Sequence, residues 1–375
     1  MIILELECMI INCVDIVKIK VLKEIKFIIL ISITLYCLSF KSVVAEGIIS
    51  PFNHLELDQN IAKEKFSFLL SGHIYGTVKD SIYPVPSLMR NIEMVNNIES
   101  SFIVLLGDIV QRANEVEMKV LQDTLLFKLN APVFNAPGNH DLSNRDLYIE
   151  KFGSTYFQFE IAGSFFIFLD SEASNGKIEG DQLAFLDQQL KYLNSADSIK
   201  NVFVFSHRLL WAIGHKKYSQ LIPYLNGPSW HPDDATTITQ KYLPLFRLLK
   251  GKKVFFISGD IGKHYSLPLF YEKEESSNIT FIATGMGNTE NDLIVEVRID
   301  HLGEVGFSPI SLNGAELNNI QEYDLEYWMA YFNNRSNISD HINYFKNMSN
   351  STLYSLIAVN LIVLFFLLFW IFKIK

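Results

Sequence analysis

The sequence predicts an α/β domain, a two-layered sheet sandwich with flanking helices, followed by a C-terminal membrane-spanning helix. Three observations carry this. Short apolar runs rich in Phe, Val, Ile and Leu recur between Phe66 and Ile299. Most are continuous rather than alternating, as in strands covered on both faces. Stretches of helical period lie between them. Near the end, Leu353 to Phe372 is apolar apart from Tyr354, Ser355 and Asn360, about the ~20 residues a bilayer requires.

The elements follow in order. Lys18, Lys20, Lys23 and Lys26 precede an apolar run from Phe27 to Phe40, and Val43-Val44-Ala45 offers small residues for cleavage. Residues 1–45 therefore read as an N-terminal extension with a signal peptide, or a retained signal anchor as the alternative. The body is expected over 60–312. Its strands are predicted at Phe66–Leu70, Ile103–Leu106, Pro132–Asn135, Phe165–Leu169, Val202–Phe205, Val254–Ile257, Ile279–Ala283 and Leu293–Ile299. Helices are predicted from Glu115 to Leu129, with Val116, Met118, Val120, Leu121, Leu125 and Leu126 on one stripe, and from Asp181 to Leu193. Residues 313–352 form a polar, aromatic-containing segment near the membrane. Residues 353–372 are the expected anchor, and Lys373 and Lys375 after it favour a cytoplasmic C-terminus. The domain is then expected on the extracytoplasmic side, on a single-pass C-terminal anchor.

Composition excludes some functions. The 375 residues carry a formal charge of -9 with no basic cluster in the middle of the chain. No nucleic-acid partner held through phosphates is expected. Phosphate chemistry stays open, because bound cations supply positive charge locally. All three cysteines, Cys8, Cys13 and Cys37, precede the proposed cleavage site, so the exported part has neither a disulfide framework nor a thiolate metal site. Sequons at Asn278, Asn334, Asn337, Asn347 and Asn350 matter only in a glycosylating host.

Polar residues cluster just after the predicted strands: Ser71-Gly72-His73, Gly107-Asp108, Gly138-Asn139-His140-Asp141, Ser206-His207 and Ser258-Gly259-Asp260. Strand ends are where an α/β fold places its chemistry. Asp, Asn and His are also the donor types that hard and borderline divalent cations take. Singly, a Gly-Asp turn or a histidine at a strand end is ordinary structure; the ordered set is not.

The set resembles the calcineurin-like metallophosphoesterases, whose fold is a four-layer αββα sandwich and whose reaction is phosphoester hydrolysis at two metals. Phe168-Leu169-Asp170-Ser171 and Gly180-Asp181-Gln182-Leu183-Ala184-Phe185-Leu186 add to the likeness. The resemblance covers most of Phe66 to Ile299. It implies one or two divalent ions (Mn, Fe or Zn) held by His73, Asp108, Asn139, His207, Asp260 and His264. Asp108 would bridge both ions. His140 would assist the leaving oxygen or stabilise charge, Asp141 would hold its tautomer, and Arg208 would reach a phosphate oxygen, with a solvated arginine as the other reading.

The chain departs from the family pattern at several positions. Ser71 stands for a carboxylate, Gln111 for a further acid, Asp260 for a histidine, and Gly262 for a second histidine that His264 replaces only if the loop rearranges. One firmly bound ion and one weak or missing ion are therefore expected. Trp230-His231-Pro232-Asp233-Asp234 is a candidate substrate wall or an ordinary loop. The expected activity is hydrolysis of a phosphomonoester or phosphodiester, on a phosphorylated small molecule or envelope component. The alternatives are a mononuclear hydrolase, or a catalytically degenerate relative that binds a ligand or partner.

Overall fold

The structure is a computed structural model, and it describes residues 47–58, 66–75, 81–226, 236–262 and 267–334. The expected signal segment and the expected anchor at 353–372 lie outside these residues. Among the described residues no helix is long and apolar enough to cross a membrane.

The strands are β1 Ile48–Ile49, β2 Glu56–Leu57, β3 Phe66–Ser71, β4 Phe102–Leu105, β5 Val133–Asn135, β6 Phe157–Ile161, β7 Ser164–Phe168, β8 Asn201–Ser206, β9 Lys253–Ser258, β10 Leu269–Lys273, β11 Ile279–Thr284, β12 Leu293–Ile299 and β13 Val305–Ser311. The helices are α1 Pro86–Arg90, α2 Ile92–Asn96, α3 Glu115–Thr124, α4 Arg145–Phe152, α5 Gly180–Ser195 and α6 Leu243–Arg247. One sheet has the order β13-β12-β3-β4-β5, with β3, β4 and β5 parallel. The other runs β10-β11-β9-β8-β7-β6, with β7, β8, β9 and β11 parallel. This is the mixed α/β architecture expected from the sequence.

Period-two geometry sorts each strand's residues between two cores. Phe68 and Leu70 of β3, Phe166 and Phe168 of β7, Phe203 and Phe205 of β8, and Phe255 and Ile257 of β9 share the layer between the sheets. The intervening Phe165, Ile167, Val202, Val204, Val254 and Phe256 face outward, onto α5 and α6. Ile103 and Leu105 of β4 face the other way, onto α1 and α3. The order of layers is thus helix, sheet, sheet, helix, and burial on both faces is why the strands read as unbroken apolar runs.

The helices differ from expectation in detail. Helix α3 ends at Thr124 and passes into a 3-10 turn at Leu126–Lys128 instead of continuing to Leu129. Its start is fixed by Asn114, whose Oδ1 accepts the Glu117 N–H at 2.9 Å. Val116, expected on the buried stripe, is exposed, while Met118 and Leu121 carry the contact. Strands β6, β10 and β13, absent from the sequence expectation, are all sheet edges. Phe52 and Leu57 before residue 60, and Trp328 and Phe332 after 312, are buried in the same cores. The Asn278 side-chain amide, part of a sequon, donates to the carbonyls of Phe246, Leu249 and Lys252, so it serves as an internal tie.

Candidate metal centre

Every described site residue lies just past the C-terminal end of a parallel strand. His73 follows β3, Asp108 follows β4, Asn139 to Asp141 follow β5, His207 and Arg208 follow β8, and Asp260 follows β9. His73 and Asp108 adopt left-handed backbone at φ 52° and 55°, uncommon for residues with side chains and typical of functional turns. Gly107, at φ +81°, has no alternative: a Cβ there would lie 2.6 Å from the His207 ring.

Asp108 is the hub. Its Oδ2 lies 3.7 Å from His73 Nε2 and its Oδ1 lies 3.5 Å from His207 Nε2. The Asp108 Oδ1 also accepts the His140 N–H at 3.1 Å. On the far side of His207, Asp260 Oδ1 is 3.7 Å from Nε2. The imidazoles are oriented from behind: His73 Nδ1 meets the Met286 carbonyl at 3.0 Å and His207 Nδ1 meets the Leu106 carbonyl at 2.8 Å. Burial alone would raise the Asp108 carboxyl, but His207 and His73 beside it hold its pKa below the ordinary value. Burial lowers that of His207, yet Asp108 and Asp260 overrule it and hold the imidazole above its usual range.

Arg208 completes the array. Its Nη1 donates to Asp260 Oδ2 at 2.9 Å and its Nη2 to Asn139 Oδ1 at 2.8 Å. Its Nε donates to Glu172 Oε1 at 3.0 Å. The side chain is 6% exposed, so the solvated arginine reading is corrected: the guanidinium is built into the site.

Asp141 does not orient His140. Its carboxylate accepts the N–H groups of Asp108, Ile109 and Gly138 at 2.9, 2.7 and 2.8 Å, and that of Val110 at 3.3 Å. Burial first, then the neighbouring Asp108, push its pKa up to about 6. The His140 ring is held instead by the Gln111 carbonyl at Nδ1, 2.6 Å, and the Tyr75 hydroxyl at Nε2, 3.1 Å.

Two proteins of known structure are similar to the chain. One is GAP50, the anchor in the inner membrane complex of Plasmodium, with a TM-score of 0.46 at 15% identity over 72% of this chain and 95% of that one. The other is the purple acid phosphatase PPD1 from yellow lupin seeds, with a TM-score of 0.43 at 11% identity over 68% of this chain. The alignment spans 53% of the lupin enzyme, about half its length. No curated protein matches the sequence. The calcineurin-like phosphoesterase family profile matches residues 79–254. Residues 79–254 are thus similar to a calcineurin-like phosphoesterase domain. The metallophosphoesterase family generally works with divalent ions.

Among the described residues, His73 and Asp108 are the only donors expected at the first cation position that are present. Ser71 turns its hydroxyl toward the Met286 sulfur at 4.0 Å. Gly262 has no side chain and no room for one, since a Cβ would lie 2.3 Å from the Gly285 carbonyl oxygen. His264 and the Trp230–Asp234 segment lie outside the described residues. At the expected second position, His207 lies beside Asp108 and Asp260, and Arg208 links Asp260 to Asn139. His207 Nε2 lacks a hydrogen-bond partner, and its 3.5 and 3.7 Å gaps to two carboxylates are near the roughly 3.4 Å that separates donors on one tetrahedral ion. That atom speaks for an ion. Against it, Asn139 Oδ1 and Asp260 Oδ2 are bonded to Arg208, and among the described residues no three His, Cys, Asp or Glu groups close around a common point. As arranged, the residues do not fit a resident metal.

Sequence reasoning missed Tyr75, Glu172 and the Met286 carbonyl. Tyr75 stands two residues beyond His73, and Glu172 directly follows the Asp170-Ser171 pair that supports the family resemblance. Their nearness to the motifs was the available signal.

Proposed function

We propose that the chain is a non-hydrolysing member of the metallophosphoesterase superfamily, a ligand- or partner-binding domain carried outside the cytoplasm on a C-terminal membrane anchor. The observation that carries this reading is the state of the first cation position. Phosphoester hydrolysis by this chemistry uses two ions that polarise the phosphoryl group and activate water. Here His73 and Asp108 are two donors 3.7 Å apart, and the Gly285 carbonyl fills the space a third would need. The tether is supported by the apolar stretch at 353–372 and the lysines after it. A mononuclear hydrolase is the second reading, favoured by the unpartnered His207 Nε2 lying 3.5 and 3.7 Å from the Asp108 and Asp260 carboxylates.

Hydrolysis of p-nitrophenyl phosphate and bis-p-nitrophenyl phosphate, with and without added Mn2+, separates the two. The expected result is no turnover above that of Asn139→Ala or Asp108→Ala. Metal-dependent turnover in the natural chain that both substitutions abolish would overturn the proposal in favour of the mononuclear hydrolase.

A further inference from the structure

We propose that the Arg208 guanidinium permanently takes the place of the second cation, so that Asn139 and Asp260 serve an arginine of the chain itself. This deepens the non-hydrolysing reading and rests on it. Three sets of contacts lead here.

The first is the choice of oxygens. Arg208 reaches Asn139 Oδ1 at 2.8 Å, the side-chain oxygen that an ion at this position would claim, and Asp260 Oδ2 at 2.9 Å, so it ties up one oxygen of the carboxylate whose other, Oδ1, faces His207. A cation bound to Asn139 Oδ1 would sit about 2–2.6 Å from it, beside a guanidinium nitrogen already in contact with the same oxygen. Two positive groups that close in a buried site repel strongly, so arginine and ion exclude each other.

The second is a carboxylate that the metal pattern does not call for. Glu172 takes Arg208 through two oxygens, Oε1 to Nε at 3.0 Å and Oε2 to Nη2 at 3.3 Å, the paired geometry a planar guanidinium favours. Glu172 is itself held in place. Its N–H donates to Asp170 Oδ1 at 2.9 Å, and Gln182 clamps the Asp170 backbone through Oε1 at 2.7 Å and Nε2 at 3.1 Å. The Asp170 and Gln182 features thus end in a support for arginine.

The third is the root of the side chain. The Arg208 N–H donates to Ser171 Oγ at 3.0 Å, and its carbonyl accepts from Ser206 Oγ at 2.8 Å and Ser258 Oγ at 3.1 Å. Backbone and head group are both fixed, so the guanidinium is a preorganised part of the site.

The test is metal content and thermal unfolding of the full chain, dialysed against Mn2+ or Zn2+ and compared with EDTA. The natural chain is expected to hold no stoichiometric ion and to show the same Tm in all three. Arg208→Ala is expected to gain one ion per chain and a Tm that Mn2+ raises. Arg208→Ala with Asp260→Asn loses that gain, and Arg208→Lys, which keeps the charge, never acquires it. A folded Arg208→Ala that gains no ion overturns the proposal. If Arg208→Ala does not fold, the natural chain against Asn139→Ala decides: an ion held by the first and lost in the second overturns it, and no ion in either supports it. The outcome is separable from that of the hydrolysis assay. A natural chain that binds an ion but turns nothing over sinks this proposal alone, and ester turnover without a bound ion sinks only the non-hydrolysing reading.

Discussion

Asp141 is where a single substitution should tell most about the site's framework. Its carboxylate gathers four backbone N–H groups from the turns after β4 and β5. Asp141→Ala leaves them buried without an acceptor, at a cost of about 3 kcal/mol, read as a lower denaturant midpoint at unchanged slope. The motif made Asp141 legible as a site residue, but its work differs from expectation. The Ile109 N–H that claims its Oδ1 lies 32 positions away, and no local pattern encodes that pairing. Arg208 was legible only as a positive residue near a phosphate site. What fixes it, Glu172, is 36 residues distant and belongs to no ligand pattern.

Among the elements, β3 occupies the centre of its sheet, and Phe68 packs against the rings of Phe102, Phe166, Phe203 and Phe205 at centroid distances of 4.8, 5.5, 5.2 and 6.3 Å. Phe68→Ala should cost about 3–5 kcal/mol, whereas Phe127→Ala, at a residue 51% exposed, should stay within about 0.5 kcal/mol. Unfolding of both variants in urea checks the contrast. Helix α6 is tied to the turn after β10 by Arg247, whose Nε and Nη2 donate to Glu274 at 2.7 and 2.6 Å. Burial pushes the Glu274 carboxyl up, but the bonds from Arg247 overrule it, and its pKa lies below the ordinary 4.5. The pair therefore stabilises the fold above pH 4.5, and that contribution is lost as pH falls through the lowered value. Arg247→Met should cost about 1 kcal/mol near neutrality and less in acid, measured as stability against pH. Buried strands such as β7 and β8 were legible because both their faces are apolar; β6 and β13, exposed in part, carry mixed sequences that read equally well as loop.

For the whole molecule, the five motif-bearing turns converge because parallel strands of both sheets end at one rim. That order was visible in the sequence, since each motif follows an apolar run. Less visible was how far the body extends. Trp328, whose Nε1 donates to the Leu269 carbonyl at 2.9 Å, lies in a polar segment read as membrane-proximal, and only its aromatics hinted at burial.

The rim also has a mechanical side. Asn139 comes from the five-stranded sheet, Arg208 and Glu172 from the six-stranded one, so the guanidinium works as a clasp across the seam. An ion in that place could be leached away or exchanged. A side chain cannot, and the joint between the two halves is therefore indifferent to the metal supply of whatever compartment surrounds it.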